Sequence, residues 1–330
     1  MREIYNYWCI NHITPKSQID FYGIFEDLKN SIKEFDVPSK SAMNGKAFKV
    51  SMIRKLKSDT ETNHLNNIRT KTYQGAAFQP NAIDHDLAWN AAKSGVSTKT
   101  LEFARKAKIN VNPTGVNKSI WFKTKAFCKI CKDKTGSEIP QTLPHILGSC
   151  CITRGIESEN ALNTVTWRHN QILEKLVSLL KVELSDDFKI LVDLPNHPQY
   201  YESFPTEWLN SSSDMKPDLI IVPPNAPIII GELTSPALLN MKTWNATKEK
   251  KYTEQLISKM NRPAYIRAFE VGQLGETNSS LQSLFTCLDL RKSFCKKLTT
   301  ALSTVAVECS RRIFQNRDNA HWTPGFDSKQ

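Results

Sequence analysis

Two short apolar runs separated by a Pro-Pro-Asn turn constrain the fold of this chain most strongly. The first run spans residues 216–222 and the second spans residues 228–234. β-Branched residues dominate both runs and neither shows helical spacing, so both are predicted to be adjacent β-strands. Each strand carries one acid, Asp218 at the head of the first and Glu232 near the end of the second. A hairpin pairing therefore brings two carboxylates to the same edge of a sheet.

These two carboxylates form the outline of a metal site. A hard divalent cation such as magnesium, or manganese in its place, takes a few carboxylate oxygens and keeps several waters. The apolar run at 228–231 predicts that Glu232 is buried, and a buried acid needs a partner or a metal. The alternative is a structural role, because strand-edge acids occur by chance in many α/β domains.

A helix predicted over residues 244–259 supplies the third component. Four side chains at spacings of four, three and four residues share one of its faces: Lys248, Tyr252, Gln255 and Lys259. A lysine on that face can orient or polarise a water that attacks a phosphodiester. Lys248 is the first choice for this role and Lys251 is its rival. Lysines on a helix also often form a solvated face with no catalytic role.

The charge balance indicates a polyanionic partner, with nucleic acid as the first expectation. The 330 residues carry a formal net charge of +11, with a pI near 9.2 and 40% hydrophobic content for a core. No apolar run approaches the about 20 residues that a membrane span needs, and the N-terminus lacks the apolar core of a signal peptide. Eight cysteines form no even secreted framework. We expect a soluble, intracellular protein that is not secreted and binds no membrane.

Four residues of the kinds that bind metals cluster ahead of these strands, in the pattern Cys128-x2-Cys131-x13-His145-x4-Cys150. A Cys-x2-Cys turn presents two thiolates to one ion, and a histidine with a following cysteine completes a tetrahedral set, so a structural zinc site is predicted. Cys151 is the alternative to Cys150 as the fourth ligand. A purely structural interpretation leaves the cysteines as buried thiols with His145 packed under the loop.

The remaining segments predict mainly helices and two further strands. Residues 37–72 carry eight Lys or Arg against two acids, which indicates either a phosphate-contacting arm or a solvated, partly disordered connector. Strands are predicted at 189–192 and 264–271, and helices at 21–35, 84–93, 98–108 and 164–184. Residues 279–314 predict one or two long helices, with Asn278 available as a cap. From residue 164 the order is helix, strand, strand, strand, helix, strand, helix. A helix between the third and fourth strands makes a crossover in a mixed sheet, so the predicted fold class is α/β (α+β).

The second helix of the region before the cysteines, residues 98–108, is amphipathic and basic. Its cations are Arg105, Lys106 and Lys108. We expect them to contact the phosphates of a nucleic acid.

Several motifs follow one another in an order typical of one protein family. They are Phe103-Ala104-Arg105-Lys106-Ala107 with Asn112-Pro113-Thr114 and Trp121, the cysteine-histidine cluster with Leu143-Pro144-His145-Ile146-Leu147, Arg168-His169-Asn170, Lys216-Pro217-Asp218, Gly231-Glu232-Leu233-Thr234 and Lys248-x2-Lys251-Tyr252. Over about residues 95–260 the chain resembles the C-terminal region of site-specific non-LTR retrotransposon polyproteins, which carries a restriction-enzyme-like endonuclease. No Tyr/Phe-x-Asp-Asp pair occurs, so this chain carries no reverse transcriptase.

The resemblance implies a PD-(D/E)xK restriction-endonuclease-like core with a mixed sheet, preceded by a zinc knuckle and a helical linker region. It implies an enzyme that nicks double-stranded target DNA to prime reverse transcription, with element RNA as a further partner and the nucleus as its location, after import from the cytoplasm. Two departures stand out. Glu232 stands where many members have Asp, and the loop from Cys131 to His145 is longer than usual.

Residue roles follow from the same resemblance. Asp218 and Glu232 match the metal-binding acids, and Lys248 matches a catalytic lysine that has moved from the strand, where Thr234 now stands, to the helix. Lys251 and Tyr252 belong to the adjoining motif. Arg168 and His169 match the Arg-His-Asn segment, which is expected to contact DNA or support the core.

Five segments are predicted: an N-terminal basic segment 1–75, a helical linker 76–125, a zinc knuckle 126–155, an endonuclease domain 156–315 and a tail 316–330. The leading hypothesis is a magnesium- or manganese-dependent DNA endonuclease. The competing hypotheses are a catalytically silent, zinc-containing nucleic-acid-binding module of the same ancestry and a scaffold or interaction domain.

Overall fold

The computed structural model describes residues 45–71, 95–151, 163–237, 240–241, 243–319 and 322. The chain divides into two compact units, residues 1–64 and 65–330. The helices α1 to α8 span, in chain order, Gly45–Arg69, Thr98–Lys108, Gly115–Phe122, Lys129–Thr135, Thr164–Glu183, Thr243–Gln255, Ser279–Cys287 and Lys292–Gln315. A π-helix spans His145–Ser149, and two 3-10 helices span Thr206–Trp208 and Ile257–Lys259. Across these described ranges, no helix combines the length and the apolar character needed to cross a membrane.

Within the described residues, four strands form one mixed sheet in the order β1-β2-β3-β4. The strands span Lys189–Val192, Leu219–Val222, Ile228–Thr234 and Ala264–Glu270. β2 lies antiparallel to both β1 and β3, whereas β3 and β4 are parallel and α6 connects them. Since parallel neighbours need a crossover connection, the helix predicted between them has that role. The predicted mixed sheet is confirmed.

Both faces of the sheet are covered, which explains why its strands are apolar almost throughout. On one face, Ile229 and Leu233 of β3 pack with residues of α5, α7 and α8 such as Leu176, Leu284 and Leu302. On the other face, Ile228 and Ile230 pack with Tyr252 and Leu256 and with the loop around Trp208. Side chains alternate along a strand, so each strand contributes to both clusters. Glu232, two residues after Ile230, therefore points to the face that α6 covers.

A third cluster joins the region before the sheet to the end of the chain. Phe103 of α2, Leu147 of the π-helix and Trp167 of α5 pack with Ile313 and Phe314 of α8. The rings of Phe103 and Phe314 lie 5.5 Å apart between centroids. The predicted linker, knuckle and endonuclease segments thus share a hydrophobic core, and their boundaries remain predictions.

Most predicted elements lie where the sequence places them. α2, β1 and β3 have the predicted bounds, α5 ends one residue early, and Asn278 caps α7 by accepting from the backbone N–H of Ser280 at 3.0 Å. The predicted helices 21–35 and 84–93 lie outside the described residues.

The structure differs from the sequence analysis in three places. Residues 45–69, part of the predicted arm or connector, form the helix α1, and the described side chains of this helix from residue 53 on are exposed or half-buried. Residues 115–122 form α3, which the sequence analysis did not predict. The helix predicted to reach Lys259 ends at Gln255 and is followed by a 3-10 turn, so Lys259 leaves the face that carries Lys248 and Tyr252. Its Nζ instead donates to the carbonyl oxygen of Ser212 at 2.9 Å.

Candidate functional site

Asp218 and Glu232 lie opposite each other where β2 begins and β3 ends. In the antiparallel pairing of β2 and β3, Leu219 lies opposite Gly231. Asp218 and Glu232 are the next facing residues in that register. The backbone N–H of Asp218 donates a hydrogen bond of 3.2 Å to Oε2 of Glu232. Oδ2 of Asp218 accepts a bond of 2.7 Å from the backbone N–H of Leu233. The structure therefore brings the two predicted acids together and fixes one of them to the strand of the other.

Lys248 reaches this pair from α6. Its Nζ lies 2.6 Å from Oε1 of Glu232 and 3.3 Å from the carbonyl oxygen of Leu233. Because Glu232 is only 7% exposed, the ammonium is the charge partner that a buried carboxylate needs. Lys251, three residues further along α6, is exposed to solvent. The geometry favours Lys248 over Lys251 as the lysine of the site.

Two buried tyrosines hold the backbone that leads into Asp218. The hydroxyl of Tyr201 donates to the carbonyl oxygen of Pro217, and the hydroxyl of Tyr252 donates to the carbonyl oxygen of Lys216 at 3.5 Å. Burial raises the pKa of both phenols, so both remain protonated donors at neutral pH. Tyr252, a predicted site residue, thus supports the position of the first acid.

The structure adds His169 to the two acids and Lys248. Its Nε2 lies 3.1 Å from Oδ2 of Asp218, and its Nδ1 lies 3.1 Å from Oδ1 of Asn170. The Arg-His-Asn motif predicts DNA contact or core support for His169. The Arg-His-Asn motif marked the residue, but 49 positions separate it from Asp218, and only the packing of α5 beside the sheet brings them together. We name Asp218, Glu232, Lys248 and His169 the acid cluster.

Charges within the acid cluster interact strongly. Burial and the neighbouring charge of Asp218 raise the pKa of Glu232 above its ordinary value, against the opposing effect of Lys248. Burial by itself lowers the pKa of His169, but the charge of Asp218 and the hydrogen bond to it outweigh burial and raise the pKa overall. Two carboxylates held this close repel each other, and cationic groups on both sides reduce that repulsion.

The two carboxylates are of the ligand type that a hard divalent cation such as magnesium or manganese takes. Asp218 and Glu232 offer hard oxygen ligands from neighbouring strands, and two carboxylates with retained waters are a usual set for such cations. Burial, and after it the charge of Asp218, raises the pKa of Glu232, and a bound divalent cation would favour the charged form of this carboxylate. The residues that would hold the cation are Asp218 and Glu232.

A second group of ligand-type residues lies in the region before α5. Cys128, Cys131, His145 and Cys150 are all buried, and their ligand atoms lie within 4.8 Å of one another, so the group could hold a metal ion such as zinc. The Sγ atom of Cys150 lies 3.9 Å from that of Cys128 and 3.7 Å from that of Cys131. Nε2 of His145 lies 3.5 Å from Sγ of Cys131. Tetrahedral zinc would separate two sulfurs by about 3.8 Å and a sulfur from a nitrogen by about 3.6 Å, so these atoms already have the spacing of a zinc site.

Local structure positions these four ligands. Cys128 precedes α4 as its cap and Cys131 lies in the first turn of that helix, which ends at Gly136 with a positive φ of 71°. The π-helix begins at His145, and the N–H of Cys150 donates to the carbonyl oxygen of His145 at 2.8 Å. Gly136 suits the left-handed turn because it has no Cβ. The segment from Cys131 to His145 thus begins in α4, turns at Gly136 and ends at the start of the π-helix.

Cys151 lies beside this group and outside it. Its Sγ is 3.5 Å from Sγ of Cys131, but the set of mutually close ligand atoms contains Cys150. The structure thus favours Cys150 as the fourth ligand. Hydrogen bonding, first from Cys150, lowers the pKa of Cys128, whereas burial raises the pKa of Cys131.

The expectation that Arg168 contacts DNA is wrong. Its side chain is fully buried, and NH1 donates to the carbonyl oxygen of Leu147 at 3.0 Å and to Oγ of Ser310 at 3.3 Å. The Nε atom donates to Oγ of Ser235 at 3.2 Å, three residues beyond Glu232. Burial lowers the pKa of Arg168 to about 10, which leaves it charged at neutral pH. Arg168 instead ties the π-helix, the end of β3 and α8 together, which is the core-support alternative.

The predicted basic helix exists as α2, with its apolar residues Phe103, Ala104 and Ala107 buried. Arg105 lies exposed on the opposite side, as an amphipathic surface helix requires. Lys106 pairs with Glu102 at 2.6 Å on the surface. Lys108 interacts with Glu276. Contact of these cations with nucleic acid remains a prediction, and Lys106 and Lys108 already have acidic neighbours.

No protein-family model matches the chain, and a comparison with curated proteins finds no match either.

Proposed function

We propose that the protein is a metal-dependent endonuclease that nicks double-stranded DNA. The observation that carries the proposal is the meeting of two acids and a lysine at one strand end, with the Asp218 N–H 3.2 Å from Glu232 and Lys248 Nζ 2.6 Å from the same carboxylate. The three groups come from the residue before β2, from β3 and from α6. Paired carboxylates beside a cationic side chain suit hydrolysis of a phosphodiester assisted by a bound cation.

Each residue of the acid cluster has a distinct role in this reaction. Asp218 and Glu232 hold the cation, which when bound supplies a Lewis acid and a water of lowered pKa. Lys248 is placed to orient the attacking water and to stabilise negative charge that develops on the phosphate. His169 and the Leu233 N–H both bond Oδ2 of Asp218 and so orient that carboxylate.

Fold and ancestry belong to the same proposal. Acids on adjacent strands of a mixed sheet support the assignment to the PD-(D/E)xK endonucleases. The order of the quoted motifs supports descent from the C-terminal region of a site-specific non-LTR retrotransposon polyprotein. Such an origin places the protein in the nucleus, with double-stranded DNA as substrate and element RNA as a further partner. The net charge of +11 supports a polyanionic partner of either kind.

Conversion of supercoiled plasmid to its nicked form tests the proposal. Purified protein is incubated with magnesium, with manganese or without divalent cation, and Asp218→Asn is compared with Asp187→Asn, an exposed aspartate on the loop before β1. We expect cation-dependent nicking that Asp218→Asn abolishes and Asp187→Asn retains. Wild-type protein that binds DNA but nicks no substrate with either cation would instead be the silent binding module.

A further inference from the structure

We propose that the last turn of α3 and the lysines after it form a binding surface for single-stranded nucleic acid, on which unpaired bases stack against Trp121 and Phe122. We name this the aromatic surface and define it by Ile120, Trp121, Phe122, Lys123 and Lys125. It goes beyond the proposed function, because it needs neither the acid cluster nor a divalent cation.

The exposure of these side chains is the first observation. Ile120 is 60% exposed, Trp121 46% and Phe122 69%, and they are consecutive. Every other exposed large hydrophobic residue of the described ranges stands alone in the sequence. Isolated exposed apolar residues are normal on a protein surface, whereas a contiguous group that includes two aromatic rings indicates a binding site.

The hydrogen bonds that hold α3, the helix carrying the two rings, are the second observation. The backbone N–H of Gly115 donates to Oε1 of Gln141 at 2.9 Å, so the first turn of α3 is fastened to the cysteine-histidine region. Nδ2 of Asn117 donates to the carbonyl oxygens of Asn110 and Asn112 at 2.8 and 2.7 Å. Lys123 then ends the helix with a positive φ of 58°. The start of α3 is held firmly while its last turn projects into solvent.

The relative orientation of the rings leaves aromatic faces free. The ring planes of Trp121 and Phe122 lie at 83° to each other, and the ring centroids are 6.1 Å apart. In an edge-to-face contact the edge of one ring covers at most one face of the other. Because every base has a π-face, such rings accept bases of any sequence.

The charge around the rings identifies the partner. Residues 115–132 contain five lysines and no Asp or Glu. Lys123 and Lys125 directly follow the rings and are exposed. Cations beside stacking rings match the alternation of phosphate and base along a single strand. In duplex DNA the bases are stacked on one another, so only the lysines of this surface would have a partner there.

Binding of the full chain to fluorescently labelled oligothymidylate, oligouridylate and a duplex tests the proposal by anisotropy, without magnesium. The test variant is the double substitution Trp121→Ala/Phe122→Ala. Stacking contributes about 5- to 150-fold per base to affinity, so with two rings removed we expect at least about a tenfold increase in Kd for single strands and a change within about twofold for the duplex. A loss on only one of the two polymers would assign the surface to that polymer.

Two further proteins make the result decisive. Trp121→Tyr/Phe122→Tyr retains two rings, so it should bind single strands nearly as well as wild type. Tyr265→Ala removes a 51% exposed aromatic residue on β4, so it should change no Kd. Equal losses for single strands and duplex, or unchanged Kd in the alanine variant, would overturn the proposal. Conversion of an oligomeric wild-type protein to a monomer by the alanine variant would overturn it in favour of a second copy of the chain. Because no nicking is measured, failure of the proposed nuclease leaves this test unaffected.

Discussion

Nζ of Lys248 lies 2.6 Å from Oε1 of Glu232, the acid near the end of β3. The side chain of Glu232 is 9% exposed and that of Lys248 is 27% exposed, so the pair is largely shielded from solvent. A contact of this kind both satisfies a buried carboxylate and places a cation beside the expected phosphate.

Lys248→Ala should therefore abolish or nearly abolish nicking while DNA binding stays within a few fold, because the lysine acts on the water and the phosphate and does not hold DNA. Lys251→Ala is the matched control on the same helix. Its side chain is exposed, so nicking should persist. Plasmid nicking rates and anisotropy on the same preparations measure both effects. If the two variants exchange behaviour, Lys251 is the catalytic lysine and the rest of the site stands.

His169→Ala should lower nicking by about 10- to 100-fold, the usual effect of losing a group that orients a metal ligand. The loss should appear mainly as a higher manganese concentration for half-maximal rate, because Asp218 loses the bond to its Oδ2. His169→Asn retains a hydrogen-bond donor and should recover part of the activity. A loss that excess manganese does not reduce, accompanied by a lower melting temperature, would show that His169 only supports the fold.

Cys128→Ser should remove the metal from the cysteine-histidine group. Wild-type protein is expected to contain about one zinc per chain, because four ligands complete a closed structural site. Cys151→Ser is the control, since Cys151 lies beside the group and is not one of the four mutually close ligands. Metal content by elemental analysis separates the two. Loss of zinc in Cys151→Ser with retention in Cys150→Ser would transfer the fourth ligand to Cys151.

Arg168→Leu should destabilise the protein by about 3 kcal/mol or more, because it leaves buried partners on three elements without their donor. Arg168→Lys should recover little, since a single ammonium cannot reproduce the guanidinium fork. Arg105→Leu, at an exposed position, is the control and should leave thermal unfolding unchanged. A stable Arg168→Leu protein that has lost only its affinity for DNA would restore the original expectation of a DNA contact.

The sheet and the acid pair were predictable because their signals are local. β-Branched residues and alternation predict β2 and β3, and a hairpin between them brings Asp218 and Glu232 together without information from elsewhere in the chain. The spacing of the cysteines and His145 is likewise a local signal. Lys248 was predictable because the helical period puts it on the same face as Tyr252, which packs on the sheet.

The residues that sequence reasoning misplaced depend on tertiary packing. An arginine on an amphipathic helix resembles a surface cation, and nothing near Arg168 in the sequence reveals that Leu147 and Ser310 meet it in the interior. His169 reaches Asp218 only because α5 packs beside the sheet. The aromatic surface was missed for a related reason: Trp121 and Phe122 are residues expected in a core, and their exposure follows from the way α3 is fastened at its first turn.

The rate of magnesium-dependent nicking by wild type and Glu232→Gln tests the central claim most directly, with Glu207→Gln as an exposed control. Glu232→Gln removes a ligand charge and the acid that Lys248 contacts, while the similar shape of the side chain spares the fold. We expect a fall of at least about a hundredfold, since the Lewis acid contribution is worth several kcal/mol, with DNA affinity within a few fold. Nicking by Glu232→Gln at the wild-type rate, or no cation-dependent nicking by wild-type protein, would contradict the assignment of the acid cluster as a nuclease centre.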